Sequence, residues 1–229
     1  ANGNVLDTIS LPAGSLPSVV AVKPDGTRLY VTNPGDGTTP GTVSVFNTAT
    51  NTVIKTITVG TGPAFATLSP DAKTLYVTNT VDGTVSKINT ATNTVIGTVT
   101  NVGSNPMALT VSPDGKKIYV TSIDYEANTS SVAVFSSTAK TGTLITGIGT
   151  DPLGTVVSPD SKKLYIAHGD GTVSVLDTAT NTVIDTFTVG GQLGLPTFSK
   201  DGSLLLITSA SEGLKVVDPV THTVGTIDL

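Results

Sequence analysis

The chain repeats itself five times, and this repetition constrains the fold more than any other feature of the sequence. The clearest element of each copy is a polar turn block that reads Ser-Pro-Asp-Gly or a close variant of it. The five blocks occupy residues 23–26, 69–72, 112–115, 158–161 and 199–202. Successive blocks begin about 41 to 46 residues apart, which is a period typical of solenoids and propellers.

Each copy has the same internal order of strands and turns. After the turn block comes a second strand, which begins with Tyr30, Tyr76, Tyr119, Tyr165 or Leu206. A third strand, a Thr-Ala-Thr-Asn turn and an outer strand follow, as in residues 42–46, 48–51 and 52–59. A four-stranded unit of about 40 residues is the signature of a propeller blade. The sequence therefore predicts an all-β fold, a five-bladed β-propeller forming one domain over residues 1–229. Its inner strands are expected to begin near residues 17, 63, 106, 152 and 194.

Three strings in these copies resemble a known family of repeats. They are Ser-Pro-Asp-Gly-Lys, Tyr-Val-Thr-Asn and Thr-Ala-Thr-Asn-Thr-Val-Ile. They are similar to the YVTN family of β-propeller repeats, which is known from archaeal and bacterial surface-layer and other secreted proteins. The resemblance covers nearly the whole chain and implies the propeller fold. It implies an extracellular, cell-surface or periplasmic location, but no particular ligand, because one fold hosts many functions.

The number of outer strands raises a question of ring closure. Five sets of inner strands are accompanied by six candidate outer strands, since residues 5–11 and 223–229 both match the outer pattern. We expect residues 5–11 to pair onto the last blade as a closing strand and so to remove an exposed sheet edge. The alternative is that the chain is part of a larger ring and that this strand belongs to another blade.

Composition narrows the range of partners. The net charge is −5 and Arg28 is the only arginine, whereas nucleic-acid binding requires clustered Lys and Arg. The absence of Cys excludes disulfides and thiolate chemistry. No apolar run approaches the roughly 20 residues of a membrane helix. We expect a monomer that binds no nucleic acid and has no membrane-spanning segment.

The predicted inner strands contain no ionisable side chain. General acid–base catalysis needs a titratable group within reach of the substrate, and metal sites need several convergent ligands. We therefore predict no catalytic residue, no metal site and no cofactor at the axis. A quinone cofactor also fits poorly, because such propellers usually hold it with Trp and the chain has none.

The loops between second and third strands are the candidate binding surface. Each carries an acid, and one contains the only Tyr outside the repeat position. The candidate ligand-binding residues are Asp36, Asp82, Asp124, Tyr125, Glu126, His168, Asp170 and Glu212. These residues could bind calcium weakly, or they could bind a cationic or polyhydroxylated ligand. The alternative is ordinary turn chemistry, because most of these acids precede Gly, where hairpins favour Asp.

These observations favour a non-catalytic secreted or cell-surface propeller that presents loops for protein or glycan binding. One alternative is a small hydrolase or lyase with its site at the axial mouth, for which Asp124, Glu126, His168 and Asp170 are the available side chains. The other is a structural domain of a surface layer.

Overall fold

The computed structural model describes residues 8–11 and 15–227. Within these residues, twenty strands form five four-stranded sheets, and in every sheet the strands lie in chain order with antiparallel pairing. The five-bladed, all-β prediction is confirmed. The described part of the chain contains no helix with the length and apolarity needed to cross a membrane.

The strands of the five blades follow from the repeat. Blade 1 contains β1 (Val20–Val22), β2 (Arg28–Asn33), β3 (Pro40–Asn47) and β4 (Thr52–Thr61). Blade 2 contains β5 (Pro63–Leu68), β6 (Thr74–Asn79), β7 (Thr84–Asn89) and β8 (Thr94–Val99). Blade 3 contains β9 (Pro106–Val111), β10 (Ile118–Asp124), β11 (Thr129–Phe135) and β12 (Thr143–Thr146). Blade 4 contains β13 (Pro152–Val157), β14 (Lys163–His168), β15 (Thr172–Asp177) and β16 (Thr182–Thr188). Blade 5 contains β17 (Leu193–Phe198), β18 (Leu205–Ser209), β19 (Gly213–Val217) and β20 (Val224–Ile227).

The turn block between first and second strands is built by its own side chains. In blade 2, Ser69 Oγ donates a 2.6 Å hydrogen bond to Asp71 Oδ1, and the backbone N–H of Lys73 donates to the same oxygen. The fourth residue of the block, Ala72, has a φ of 56°. The blocks of blades 3, 4 and 5 repeat the Ser–Asp bond at 2.6 Å. The block therefore fixes the direction in which the second strand begins.

The outer turn between third and fourth strands uses Asn in the same way. Asn51, Asn93 and Asn181 have φ values between 53° and 58°, in the left-handed region that Asn tolerates. A Thr earlier in the turn ties it to the neighbouring turn block. Thr90 Oγ1, for example, donates a 2.7 Å hydrogen bond to Ala72 O. Both turns therefore lie on one face of the propeller, which we call the turn face, and the loops between second and third strands lie on the other, the loop face.

Apolar side chains fill the spaces between consecutive blades. Four separate clusters lie between blades 1 and 2, 2 and 3, 3 and 4, and 4 and 5. The repeat tyrosines Tyr30, Tyr76, Tyr119 and Tyr165 are buried, one in each cluster. Burial raises the pKa of the Tyr119 hydroxyl to about 12. The core is therefore divided into layers between blades.

A buried Thr in the second strand joins blade 1 to blade 2 and blade 2 to blade 3. Thr78 Oγ1 accepts a 3.0 Å hydrogen bond from Phe65 N on its own first strand and donates a 3.1 Å bond to Met107 O on the first strand of blade 3. Thr32 makes the corresponding bonds with Val19 N and with Ala64 O of blade 2. The hydroxyl of the Tyr-Val-Thr-Asn motif is thus a link between blades.

The predicted closing strand falls partly outside the described residues. Residues 5–7 are not described, and residues 8–11 do not form a strand. The second candidate outer strand is β20, which pairs with β19 and gives blade 5 its fourth strand. Closure by residues 5–11 stays a prediction.

Candidate functional site

The innermost strands carry no charge. β1, β5, β9, β13 and β17 form one edge of their sheets and pack against one another along the chain. Their sequences are Val-Ala-Val, Pro-Ala-Phe-Ala-Thr-Leu, Pro-Met-Ala-Leu-Thr-Val, Pro-Leu-Gly-Thr-Val-Val and Leu-Gly-Leu-Pro-Thr-Phe. The polar side chains that they offer are threonine hydroxyls. These strands therefore offer no charged group for recognition at the axis.

Three loop-face acids accept hydrogen bonds from the turns that follow them. Asp36 Oδ1 accepts from the backbone N–H of Thr38 and Thr39 at 2.9 and 3.2 Å, and these bonds lower its pKa to about 2. Backbone donors two and three residues further on also lower the pKa of Asp124, and Thr172 lowers that of Asp170. These carboxylates are stabilised as anions by their own loops.

The acid of blade 2 bonds to another blade, and the acid of blade 5 pairs with a lysine. Asp82 Oδ2 accepts a 2.7 Å hydrogen bond from Thr61 N, at the end of the outer strand of blade 1. Glu212 Oε2 lies 2.5 Å from Lys215 Nζ, whose side chain is buried in the third strand of blade 5. Within residues 8–11 and 15–227, no three His, Asp or Glu side chains converge in a way that could hold a metal ion. The loop-face acids are therefore spread around the face, one to a blade except in blade 3, which has Asp124 and Glu126.

Tyr125 is the most exposed aromatic side chain of the loop face. It lies in the loop between β10 and β11, and 67% of its surface is accessible. Its hydroxyl lies 3.9 Å from Met107 Sδ on the first strand of the same blade. Asp124 and Glu126 flank it, and Glu126 is exposed. The loop thus combines an exposed ring with two carboxylates.

His168 is buried, unlike the other candidate residues. Its Nδ1 lies 2.7 Å from Thr150 O, and because a carbonyl only accepts, Nδ1 carries the proton. Its Nε2 lies 3.0 Å from Ser174 Oγ on the third strand. Burial lowers the pKa of His168, against smaller opposing effects of these bonds and of Asp170. The ring is a neutral structural group beneath the loop face.

The lowered pKa of His168 predicts a loss of stability in mild acid. Below its ordinary pKa of 6.5 the unfolded chain binds a proton more readily than the folded chain, so the free energy of unfolding falls as the pH drops through 6.5. The aspartates with lowered pKa values lose their stabilisation only below about pH 4. We expect His168→Asn to flatten the profile of unfolding free energy above about pH 5, measured by urea denaturation.

A matched control is available at the second histidine. His222→Asn makes the same chemical change at a position where Asn51, Asn93 and Asn181 occupy the equivalent outer turns. Comparison of the two variants shows which part of the slope between pH 6.5 and 5 belongs to the buried His168. A slope that persists in His168→Asn and disappears in His222→Asn would refute the assignment.

A glycine between blades packs against the residue of each following second strand that corresponds to the Asn of Tyr-Val-Thr-Asn, and the sequence analysis missed this contact. A Cβ at Gly60 would lie 2.7 Å from the Asn79 amide, and one at Gly149 would lie 2.9 Å from the His168 ring. At Gly103 it would lie 1.9 Å from Ser122 Oγ. The sequence does contain a signal for this contact. Near the end of several outer strands, or just after it, a Val or Ile that the structure buries stands immediately before a Gly, as at Val59, Val102, Ile148 and Val189. We call each pair an interblade glycine contact.

A polar groove of about 490 Å³ opens beside one of these contacts. It lies between blades 1 and 2, and Val59 and Val95 are its apolar residues. The polar lining consists of Thr58, Asn79, Asp82, Thr84, Ser86 and Thr98. Asn79 Nδ2 donates to Thr84 Oγ1 and Ser86 Oγ, each at 3.0 Å, whereas its buried Oδ1 accepts no hydrogen bond. The groove offers hydroxyl, amide and carboxylate groups to a polar ligand.

Comparisons with solved structures bear on the fold. The chain is similar to a chain of the Kuenenia stuttgartiensis hydrazine synthase structure, with 21% identity and a TM-score of 0.80 over 99% of this chain and 70% of that one. It is also similar to a chain of the mitotic checkpoint complex, with 16% identity and a TM-score of 0.79 over 95% of this chain and 68% of that one. At these identities the likeness supports the propeller fold alone.

Sequence comparison identifies the family. The search of curated protein sequences gave no match to this chain. A family model described as the YNCE-like beta-propeller matches residues 17–134, which is just over half of the 229 residues. The matched segment covers blades 1 and 2 and the first three strands of blade 3. The chain belongs to the YNCE-like β-propeller family.

Proposed function

We propose that the chain is a non-catalytic binding module, secreted or held at a cell surface, that recognises a protein partner through its loop face. The β-propeller fold generally supports a protein-binding or scaffold role, and one structural neighbour belongs to a multi-protein complex. The location outside the cytoplasm is supported by the repeat strings and by the Thr-rich, Lys-poor composition. Calcium binding by the loop acids and catalysis by the His168 loop are the less favoured alternatives.

The observation that carries this proposal is the exposed Tyr125 between two carboxylates. Tyr is enriched among residues that dominate binding energy, because it supplies a large contact area at low entropic cost. The neighbouring loop of blade 2 adds a second exposed apolar side chain, Val81, beside Asp82. A partner that covers these loops would present an apolar pocket with basic residues at its rim.

Photo-crosslinking from the loop face tests the proposal. A benzoylphenylalanine placed at Tyr125 should capture a defined partner from envelope proteins of the source cell, and the same group at the exposed Val220 on the turn face should not. With the captured partner purified, Tyr125→Ala should weaken binding by tenfold or more, about 1.4 kcal/mol. Equal capture from both faces, or unchanged affinity of Tyr125→Ala, would contradict the assignment.

The groove between blades 1 and 2 favours a second candidate function, glycan binding. Its side chains can both donate to and accept from sugar hydroxyls, and the free Oδ1 of Asn79 provides a buried acceptor. Screening soluble oligosaccharides by calorimetry tests this function. Asp82→Asn should reduce any affinity found, whereas Asp36→Asn, which changes the equivalent acid of blade 1 outside the groove, should not.

A further inference from the structure

A pocket of about 280 Å³ lies on the turn face between blades 4 and 5. It is formed where the turn block of blade 4 meets the turn block and the outer turn of blade 5. The two blocks meet closely, since a Cβ at Gly202 would lie 2.7 Å from Pro159 Cγ. Pockets for drug-sized ligands measure about 300–1,000 Å³, so this one suits a smaller molecule.

One wall of the pocket is apolar and aromatic. Tyr165 and Phe198 contact each other edge to face, with ring centroids 5.5 Å apart and ring planes at 78°. Tyr165 is buried and Phe198 is half-buried, and Pro159 and Pro219 complete the wall. Val220 extends this wall at the rim, where it is exposed like the alanines at the equivalent positions of three other outer turns, which are Ala49, Ala91 and Ala179.

Asp201 brings an unpaired negative charge to the pocket. In each of the other four turn blocks a lysine lies 3.2–3.9 Å from the carboxylate. Ser203 stands where blades 2, 3 and 4 have that lysine, and no ion pair to Asp201 forms in the described part of the chain. Hydrogen bonds from Ser199 and Ser203 to Oδ1 lower the pKa of Asp201 to about 2. The carboxylate therefore stays charged at neutral and mildly acidic pH.

Two further charged side chains line the pocket, Asp160 and Lys163. Asp160 Oδ2 lies 3.9 Å from Lys162 Nζ, which is the longest of the four block ion pairs. Lys163 is exposed. Two carboxylates and one ammonium group give the lining a net charge of −1. An anionic pocket with an aromatic wall attracts an organic cation, through charge-assisted hydrogen bonds and through the electron-rich faces of aromatic rings.

We propose that this pocket binds a free organic cation that has a guanidinium head group and a short alkyl chain. A guanidinium group has five N–H donors, which can serve the carboxylates of both blocks, and its weakly hydrated plane packs on aromatic surfaces better than an ammonium group does. The alkyl chain fits the apolar surface of Pro159, Pro219 and Val220. The pocket is separate from the loop face and from the groove between blades 1 and 2, so the experiments on those surfaces do not depend on it.

Titration with butylguanidinium and with butylurea tests the requirement for charge. The two probes have nearly the same size and shape, but butylurea is neutral. Backbone amide chemical shifts of the nitrogen-15-labelled protein report binding, and those of Asp201, Gly202 and Ser203 should move. We expect butylguanidinium to bind saturably with a Kd of about 1 mM, and butylurea to bind about tenfold more weakly.

Variants of the lining locate the bound probe. Asp201→Asn should weaken the binding of butylguanidinium about tenfold. Asp114→Asn is the matched control, because Asp114 is the equivalent carboxylate of the pocket between blades 2 and 3 and is paired with Lys116. It should leave the affinity unchanged. The Asn oxygen can still accept the hydrogen bond of the block serine, so both variants should retain the turn.

Two more variants separate the aromatic and charge contributions. Phe198→Leu should weaken butylguanidinium about threefold and leave butylurea unchanged, because Leu keeps the apolar contact and removes the ring. Lys163→Gln should strengthen the binding of butylguanidinium about twofold, since it removes a like charge. Equal affinity for the two probes, an equal effect of Asp201→Asn and Asp114→Asn, or no saturable shift up to about 10 mM would overturn the proposal.

Discussion

Tyr119→Ala is expected to lower the free energy of unfolding by about 3–5 kcal/mol. Tyr119 is fully buried in the apolar cluster between blades 3 and 4, beside Ile148 and Leu164. Truncation removes the contacts of a large ring and leaves a cavity that two sheets can close only by moving relative to each other. Urea denaturation followed by circular dichroism should show a lower midpoint with little change in slope.

The matched control is another tyrosine of the same blade. Tyr125→Ala removes the same side chain from the exposed loop after β10, so its effect should lie within about 0.5 kcal/mol of zero. A comparable loss in both variants would mean that the interblade cluster does not carry the stability assigned to it. The neutral result also qualifies Tyr125→Ala as a folded variant for the binding experiment.

Gly103→Ala is expected to have a second large effect. The added Cβ would lie 1.9 Å from Ser122 Oγ and 2.6 Å from Ser122 Cβ, and Gly103 has a φ of 87°. The substitution therefore combines backbone strain of about 1–2 kcal/mol with a clash that requires blades 2 and 3 to separate. We expect a total loss of about 3 kcal/mol or more.

Gly147→Ala separates these two contributions. Gly147 has a φ of 73°, and a Cβ there would meet no atom within 4 Å. Its substitution should cost only the backbone strain, about 1–2 kcal/mol. Both variants can be measured by the same urea denaturation. If Gly103→Ala costs no more than Gly147→Ala, the interblade glycine contact is not a tight one.

The sequence predicted the blades well because both turns are local. The Ser-Pro-Asp-Gly and Thr-Ala-Thr-Asn blocks form hydrogen bonds within a few residues of themselves, so their structure can be derived from a short window. The second strands begin near their predicted positions for the same reason. What the sequence did not reveal is how blades are joined, since those contacts link residues 20 to 60 positions apart.

Lys87 illustrates this limit. It occupies the third-strand position of Val45 and Val175, and the alternating pattern gives no reason to expect a buried ammonium group there. Its Nζ donates to Ser137 O and Ala139 O of blade 3 at 3.1 and 2.9 Å, while burial lowers its pKa. The acceptors are backbone carbonyl groups of another blade. Because every residue has a carbonyl group, the sequence does not indicate which of them accept these hydrogen bonds.

The candidate site was predicted only in part. The sequence located the acids on loops that the structure places on one face, and it offered turn chemistry as an alternative reading, which describes the bonds of Asp36 and Asp170. It could not indicate that His168 is buried while Tyr125 is exposed, because both lie near the ends of equivalent second strands. The His168 ring packs against Gly149, which follows the outer strand of the preceding blade.

The division of the core into four separate layers determines how the molecule should unfold. Each blade is held by its immediate neighbours, so cooperativity spreads from blade to blade as in a one-dimensional array. Blades 2, 3 and 4 each take part in two of these layers, and blades 1 and 5 in one. The amide protons of the three inner blades should therefore exchange more slowly than those of blades 1 and 5, which should fray first. Local unfolding of blade 1 or blade 5 would thus leave the packing of the inner blades intact.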